Sequence, residues 1–160
     1  MVVRTGIGFD VHRFAEGRRL VLGGIEIDHE RGLAGHSDAD VLLHAIADAL
    51  LGAAGLGDIG RHYPPDDPRW KDADSVEILR DVSGRVRAEG WEVSNVDATV
   101  LAEAPRIGPH VERMVARISE AMSVQPDRVS VKATTMEGLG PIGNEEGIAA
   151  MAVATVFRNS

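Results

Sequence analysis

Apolar residues recur along this chain with two different periods, and the switches between them divide it into elements. Val2 to Asp10 is short and rich in strand-forming residues, and Leu20-Val21-Leu22 and Ile25-Glu26-Ile27 flank a Gly23-Gly24 pair. A Gly-Gly step accommodates the positive φ angles of a two-residue turn, so the second stretch predicts a β-hairpin. From Asp38 to about Leu56 the period lengthens, and Leu42, Ala45, Ile46, Ala49 and Leu50 form the apolar stripe of a helix. Ser37 is the expected N-cap, with Asp40 three positions on, and Gly55 and Gly57 mark the stop.

The same reading continues to the C-terminus. A second helix, capped at Asp74-Ser75, carries Val76, Leu79, Val82 and Val86 and ends at Gly90. A strand through Val93, Val96 and Val100 breaks at Pro105, and a third helix from about Pro109 to Met122 aligns Val111, Met114, Val115, Ile118 and Met122. Arg128 to Thr135 alternates as a strand, and a final strand from about Gly147 to Phe157 is apolar on nearly every residue. Residues 57–73 are rich in Gly, Pro and Asp and read as a loop whose length points to function or mobility. The order ββααβαββ predicts an α+β fold with a two-layer α/β layout, its mixed sheet covered on one face by about three helices. No repeat or linker interrupts the pattern, so residues 1–160 read as one domain.

Composition narrows the function. At 44% hydrophobic and 26% charged the chain is an ordinary globular protein, and its net charge of −8 argues against a nucleic-acid partner. The apolar runs are too short to span a membrane and the first residues lack a targeting pattern, so a cytoplasmic protein without a membrane partner is expected. With no cysteine, any zinc site must be built from His and carboxylate.

Asp10-Val11-His12 supplies such a pair, because side chains two apart on a strand share a face. His44 on the long helix offers a third ligand, leaving a fourth position open as in catalytic zinc sites. Asp48, one turn further on, is positioned to orient the His44 ring. A D-x-H pair alone is common, so the weight comes from the other segments. His36 and Ser37 precede a helix N-terminus, where anions are favoured, although Ser37 also reads as a plain cap. Asp58 between Gly57 and Gly60 suits ribose hydroxyls or a simple turn. Thr134 and Thr135 end a strand, with Glu137 available to a hard cation such as Mg²⁺. Gly138, Gly140 and Gly143 match G-x-G-x-x-G by letters, but they lead into a strand and carry Pro141, which excludes a dinucleotide-binding turn.

Taken together, Gly6-Ile7-Gly8-Phe9-Asp10-Val11-His12, His36-Ser37-Asp38-Ala39-Asp40, the helix from His44 to Ala54, Gly57-Asp58-Ile59-Gly60, Ala104-Pro105 and Val131-Lys132-Ala133-Thr134-Thr135 resemble the 2-C-methyl-D-erythritol 2,4-cyclodiphosphate synthase family over essentially the whole chain. The resemblance implies a phosphorus–oxygen lyase of the non-mevalonate isoprenoid pathway. Such an enzyme cyclises 4-diphosphocytidyl-2-C-methyl-D-erythritol 2-phosphate and releases CMP. It further implies one Zn²⁺ held by Asp10, His12 and His44, and Mg²⁺ or Mn²⁺ held by Glu137 between the substrate phosphates. By the same resemblance His36 and Thr135 stabilise the transition state. Substrate contacts fall on Ser37, on Asp58, Ile59 and Gly60 at the ribose, on Tyr63 and Asp67 after that loop, and on Glu137. Ala102, Ala104, Pro105, Arg106, Ile107 and Gly108, with Ala133 and Thr134, match the cytosine and phosphate pocket. The family assembles as a homotrimer, sheets facing the central axis and active sites between subunits. This chain departs from the family pattern at Pro65, where a carboxylate is usual, and at Asn144, where an Arg is usual at the threefold axis. A metal-dependent phosphohydrolase and a non-catalytic nucleotide- or isoprenoid-binding module on the same scaffold are the rival readings.

Overall fold

The first strand outruns its expected end at Asp10: β1 spans Val2–Ala15 and pairs antiparallel with the C-terminal strand along its length, from Val2 opposite Arg158 to Arg13 opposite Gly147. The Asp10-Val11-His12 stretch therefore lies within paired backbone and not at a frayed end. The computed structural model describes residues 1–159. After β1 come β2 (Leu20–Leu22), β3 (Ile25–Ile27) and a short β4 (Gly32–Leu33). Helix α1 (Val41–Ala54) and the single turn α2 (Ile59–His62) follow, then α3 (Ser75–Ala88) and β5 (Glu92–Leu101). The chain closes with α4 (Val111–Met122), β6 (Val129–Thr134), the turn α5 (Gly140–Gly143) and β7 (Gly147–Arg158).

Among the described residues, five strands form one mixed sheet in the order β4-β1-β7-β5-β6, antiparallel except for the parallel β5–β6 pair. The expected hairpin is present as β2–β3, in a separate two-stranded sheet, with Gly23 and Gly24 both at positive φ (64° and 73°). Helix α1 lies on β1 and β7 and α4 on β6, while α3 makes its main contacts with those two helices. The α+β class and the one covered face agree with the sequence pattern. Among the described residues, no helix is long and apolar enough to cross a membrane.

Helix α1 begins later than its stripe suggested. Its N-cap is Asp40, whose carboxylate accepts from Leu43 N at 3.1 Å and also from the hairpin amides of Gly23 (3.0 Å) and Gly24 (2.7 Å). Ser37, the expected cap, instead accepts from Ala39 N at 3.2 Å in the preceding turn. Asp40 wins because it satisfies three backbone donors at once, although full burial and the nearby Asp38 charge push its carboxyl up to about 6. The 57–73 loop also holds more structure than expected: α2, capped by Asp58, and a 3₁₀ turn at Pro68–Trp70, capped by Asp67.

Two glycines let α1 settle on β1. A Cβ on Gly6 would stand 2.1 Å from Ala49 O, and one on Gly8 would stand 1.9 Å from Ala45 O, so helix backbone meets strand backbone directly. Neither neighbour is a flexible side chain that can move aside. Gly8→Ala is expected to destabilise the fold by at least about 3 kcal/mol, the upper range for overpacking. Chemical denaturation compared with Gly52→Ala, where an added Cβ meets nothing within 4 Å, checks this.

Candidate metal centre and substrate cleft

Alternation along β1 turns Gly8, Asp10 and His12 toward α1 and sends Phe9 and Val11 to the opposite, open face of the sheet. Because Gly8 touches Ala45, the next inward residue, Asp10, meets the neighbouring helix residue, His44. Asp10 Oδ2 lies 3.0 Å from His44 Nδ1 and 3.1 Å from His12 Nε2, and one donor atom from each residue falls within 4.8 Å of the others. Burial works against a charge on Asp10, but hydrogen bonds and charge from His12 and His44 outweigh it and hold the carboxyl well below the ordinary carboxylate range. Burial likewise opposes a charge on His44, and the bond to Asp10 overcomes it and raises the imidazole. Two imidazole nitrogens and one carboxylate oxygen, partly buried and with no thiolate available, fit a catalytic zinc ion.

The far side of His44 differs from expectation. Asp48 does not reach the ring; its Oδ1 accepts from Ile59 N at 2.7 Å and anchors α2, because one helical turn carries it past the imidazole toward the loop. Burial raises its carboxyl. The residues behind His44 are Ser75, whose Oγ is 2.9 Å from Nε2, and Ser37, whose Oγ is 3.3 Å away. Asp38 binds Ser75 in turn, through both the hydroxyl and the backbone N. The His36-Ser37 turn is clamped from outside by Arg18, whose guanidinium donates to Gly35 O (2.9 Å) and Ser37 O (2.6 Å).

Beside the triad is a cavity of about 250 Å³ lined by His12, His36, His44, Ile59, Tyr63 and Trp70, with Gly60 and Pro65 at its wall. Tyr63 donates its hydroxyl to Asp81 and meets Trp70 edge-on at 4.9 Å between ring centroids. Asp58 accepts from Arg61 N at 2.9 Å. His36 is exposed, its Nε2 3.4 Å from Asp67 O. The Asp67 carboxylate turns to Arg69, with a closest contact of 2.6 Å. Trp70, Ile78 and Arg18 carry no signal of this placement in the sequence: an apolar residue does not distinguish a cleft wall from core, and the acceptors of Arg18 lie 17 and 19 residues away.

A second set of predicted residues gathers elsewhere. Ala102 N donates to Thr134 O (3.0 Å) and Met136 N to Glu103 Oε1 (2.6 Å), so the 102–108 segment and the end of β6 form one lip, exposed at Arg106, Gly108 and Ala133 to Thr135, with Ala102 and Ile107 buried beneath it. Thr135 Oγ1 accepts from Glu137 N at 3.3 Å, and Glu137 sits at positive φ (53°). The register row Asp10–Ala150–Val100–Ala133 puts this lip at the same end of the sheet as the metal triad, three strands away. That is roughly 14 Å at the usual strand spacing. Within one chain the structure thus groups Asp10, His12, His36, Ser37, His44, Asp58, Ile59, Gly60 and Tyr63, and separately Ala102, Ala104, Pro105, Arg106, Ile107, Gly108, Ala133, Thr134, Thr135 and Glu137.

The model of the YgbB family matches residues 3–157 of this chain. A 2-C-methyl-D-erythritol 2,4-cyclodiphosphate synthase of Salinibacter ruber is 60% identical over 154 residues, covering 96% of this chain and 98% of the relative. Among solved structures, the bifunctional IspDF of Campylobacter jejuni superposes with a TM-score of 0.95 at 43% identity, covering 99% of this chain and 43% of that longer one. The CDP complex of Plasmodium falciparum IspF gives 0.86 at 30% identity, covering 99% and 97%. The chain belongs to the YgbB family, that of the 2-C-methyl-D-erythritol 2,4-cyclodiphosphate synthases.

Proposed function

We propose that this chain is a cyclodiphosphate synthase, converting 4-diphosphocytidyl-2-C-methyl-D-erythritol 2-phosphate into 2-C-methyl-D-erythritol 2,4-cyclodiphosphate and CMP. The observation that carries this reading is the Asp10–His12–His44 triad opening onto a small cavity, in a chain whose solved relatives include CDP complexes. In the reaction the 2-phosphate oxygen bonds to the β-phosphorus, the α–β bridging P–O bond breaks, and its electron pair leaves on CMP. No protein nucleophile is needed, so the residues act by positioning and by neutralising charge.

Each residue then has a task. Asp10, His12 and His44 would hold zinc, and Glu137, a single exposed carboxylate, suits a Mg²⁺ or Mn²⁺ ion that shares its coordination with phosphates. Bound there, the ions supply positive charge against the phosphate oxygens. His36 at the cavity mouth donates toward the transferring phosphate, and Thr135 offers a hydroxyl to the same group. Asp58 and Gly60 face the ribose, Ser37, Ile59 and Tyr63 wall the methylerythritol side, and the lip from Ala102 to Gly108 with Ala133 and Thr134 takes the cytosine. Asp67 acts through its backbone and its pairing with Arg69.

The roughly 14 Å between the two groups is why we also propose a homotrimer in which one protomer's metal triad meets its neighbour's lip. The sheet face away from the helices favours this, with Ile7 67%, Phe9 55%, Val11 50% and Met151 42% exposed. Soluble chains rarely leave so continuous an apolar patch uncovered. The cysteine-free composition agrees with a cytoplasmic setting.

Cyclic diphosphate with equimolar CMP is expected by ³¹P NMR when the zinc-loaded protein meets its substrate and Mg²⁺; linear phosphates would mean the phosphohydrolase, and no turnover the binding module. His44→Ala should abolish zinc retention by metal analysis, whereas Glu137→Gln should keep zinc and raise the Mg²⁺ concentration needed for half-maximal rate. Thr135→Val should lower turnover about 10²-fold, the scale of a lost charge-stabilising donor. Mixed trimers of Thr135→Val and His44→Ala protomers should regain part of the activity, since some sites then receive two intact halves. A mixture as inactive as its parts would place each site within a single chain.

A further inference from the structure

The structure assigns Asp38 and Ser75 as positioning residues that fix the proton of His44 on Nε2 and so turn the Nδ1 lone pair to the metal. The inference rests on the zinc reading of the triad and follows from counting protons along one chain of hydrogen bonds. The Ser75 hydroxyl donates to Asp38 Oδ1, while Asp38 Oδ2 accepts from Ser75 N at 2.9 Å and Oδ1 also accepts from Asp40 N at 3.2 Å. A carboxylate only accepts, so the single Ser75 hydroxyl proton is committed to Asp38. The serine oxygen facing the imidazole at 2.9 Å must then receive a proton, and Nε2 must carry it. Ser37 Oγ, 3.3 Å from the same nitrogen, does not compete, because it too has a lone pair to offer.

The other ring nitrogen faces the triad, with Nδ1 3.0 Å from Asp10 Oδ2. A neutral imidazole protonated on Nε2 binds a metal only through Nδ1, so the relay selects the tautomer the site requires. Its geometry is stiff. Ser75 is 1% exposed, which keeps water from replacing the hydroxyl. The three members come from the turn before α1, from α1 itself and from the first residue of α3. A purely architectural role is the alternative, since the Asp38–Ser75 N bond alone ties α3 to that turn.

The two roles separate by experiment on the full-length protein, with zinc as the probe. In Ser75→Ala the zinc dissociation constant, measured by competition with a chelator, is expected to rise about 10- to 100-fold, the usual effect of losing such a partner. In the zinc-loaded protein labelled with ¹⁵N-histidine, the His44 Nε2–H resonance should be slow to exchange in the wild type and broadened or lost in the variant. A dissociation constant within about threefold of wild type, or an unchanged Nε2–H resonance, would overturn the assignment, whatever happens to Tm. Should Ser75→Ala not fold, Asp38→Asn carries the same two measurements with the same expectations. Wild-type protein that retains no zinc would overturn the metal reading together with the relay, whereas zinc bound equally by wild type and variant would overturn the relay alone.

Discussion

Helix α1 touches strand β1 backbone to backbone at Gly6 and Gly8, and the position of the whole Asp10–His12–His44 cluster follows from that contact. Side chains in between would hold a helix and a sheet farther apart. Here the glycines remove that layer, and the next inward residue of the strand comes level with the helix residue beside Ala45. Asp10 and His44 meet because Gly6 and Gly8 have no side chain to hold the strand away from the helix. The same approach explains the small residues along the facing sheet, where Ala150, Ala152 and Ala154 of β7 are fully or almost fully buried. The helix is fixed along its axis as well, since Asp40 joins its first turn to both glycine amides of the β2–β3 hairpin.

What the sequence made legible was whatever depends on neighbours along the chain. The two-residue turn at Gly23-Gly24, the stripe of α1, the stop at Gly55 and the pairing of Asp10 with His12 on one face all arise from local geometry. What it concealed were choices between equivalent local signals that distant residues decide. Ser37 and Asp40 are both competent caps, and Asp40 prevails through amides sixteen and seventeen residues away. Asp48 has the spacing to support His44, yet Ile59 N captures it. Ser75 reads as a helix start and nothing more, because its partners, Asp38 and His44, lie more than thirty residues upstream. The family resemblance supplied residue roles that spacing alone left open, and it was silent on this layer behind the ring.

The final strand shows the limit of hydrophobic pattern most clearly. Both faces of β7 are apolar, so its sequence announces burial on two sides, while the single chain covers only one. Topology resolves this: Ile148, Ala150 and Ala152 face the helices, and Met151 and Val153 join Ile7, Phe9 and Val11 on the open face. An uncovered apolar sheet face and two groups of polar residues set three strands apart are separate facts about one chain. The proposed trimer, associating through the open face, would answer both: it would remove the apolar surface from water and bring a second chain's lip to the end of the sheet that carries Asp10 and His12.

A reaction that needs no protein nucleophile places unusual weight on rigidity. When a substrate phosphate is itself the attacking group, rate depends on holding it in line with the β-phosphorus, and errors of an ångström are costly. The triad stands on a long paired strand and a capped helix, both parts of the core. His36 and Ser37, by contrast, sit in a turn outside the sheet, tied to the 72–73 segment by Asp72 N to His36 O (2.8 Å) and Asp38 N to Ala73 O (3.2 Å). There the chain adds side-chain restraints: Arg18 on the carbonyls of Gly35 and Ser37, and Asp38 on Ser75. Regular structure fixes the proposed metal ligands and polar clamps fix the residues around them. The ring of His44 is where the two systems meet, held by Asp10 of the strand on one side and by Ser75 of the clamp on the other.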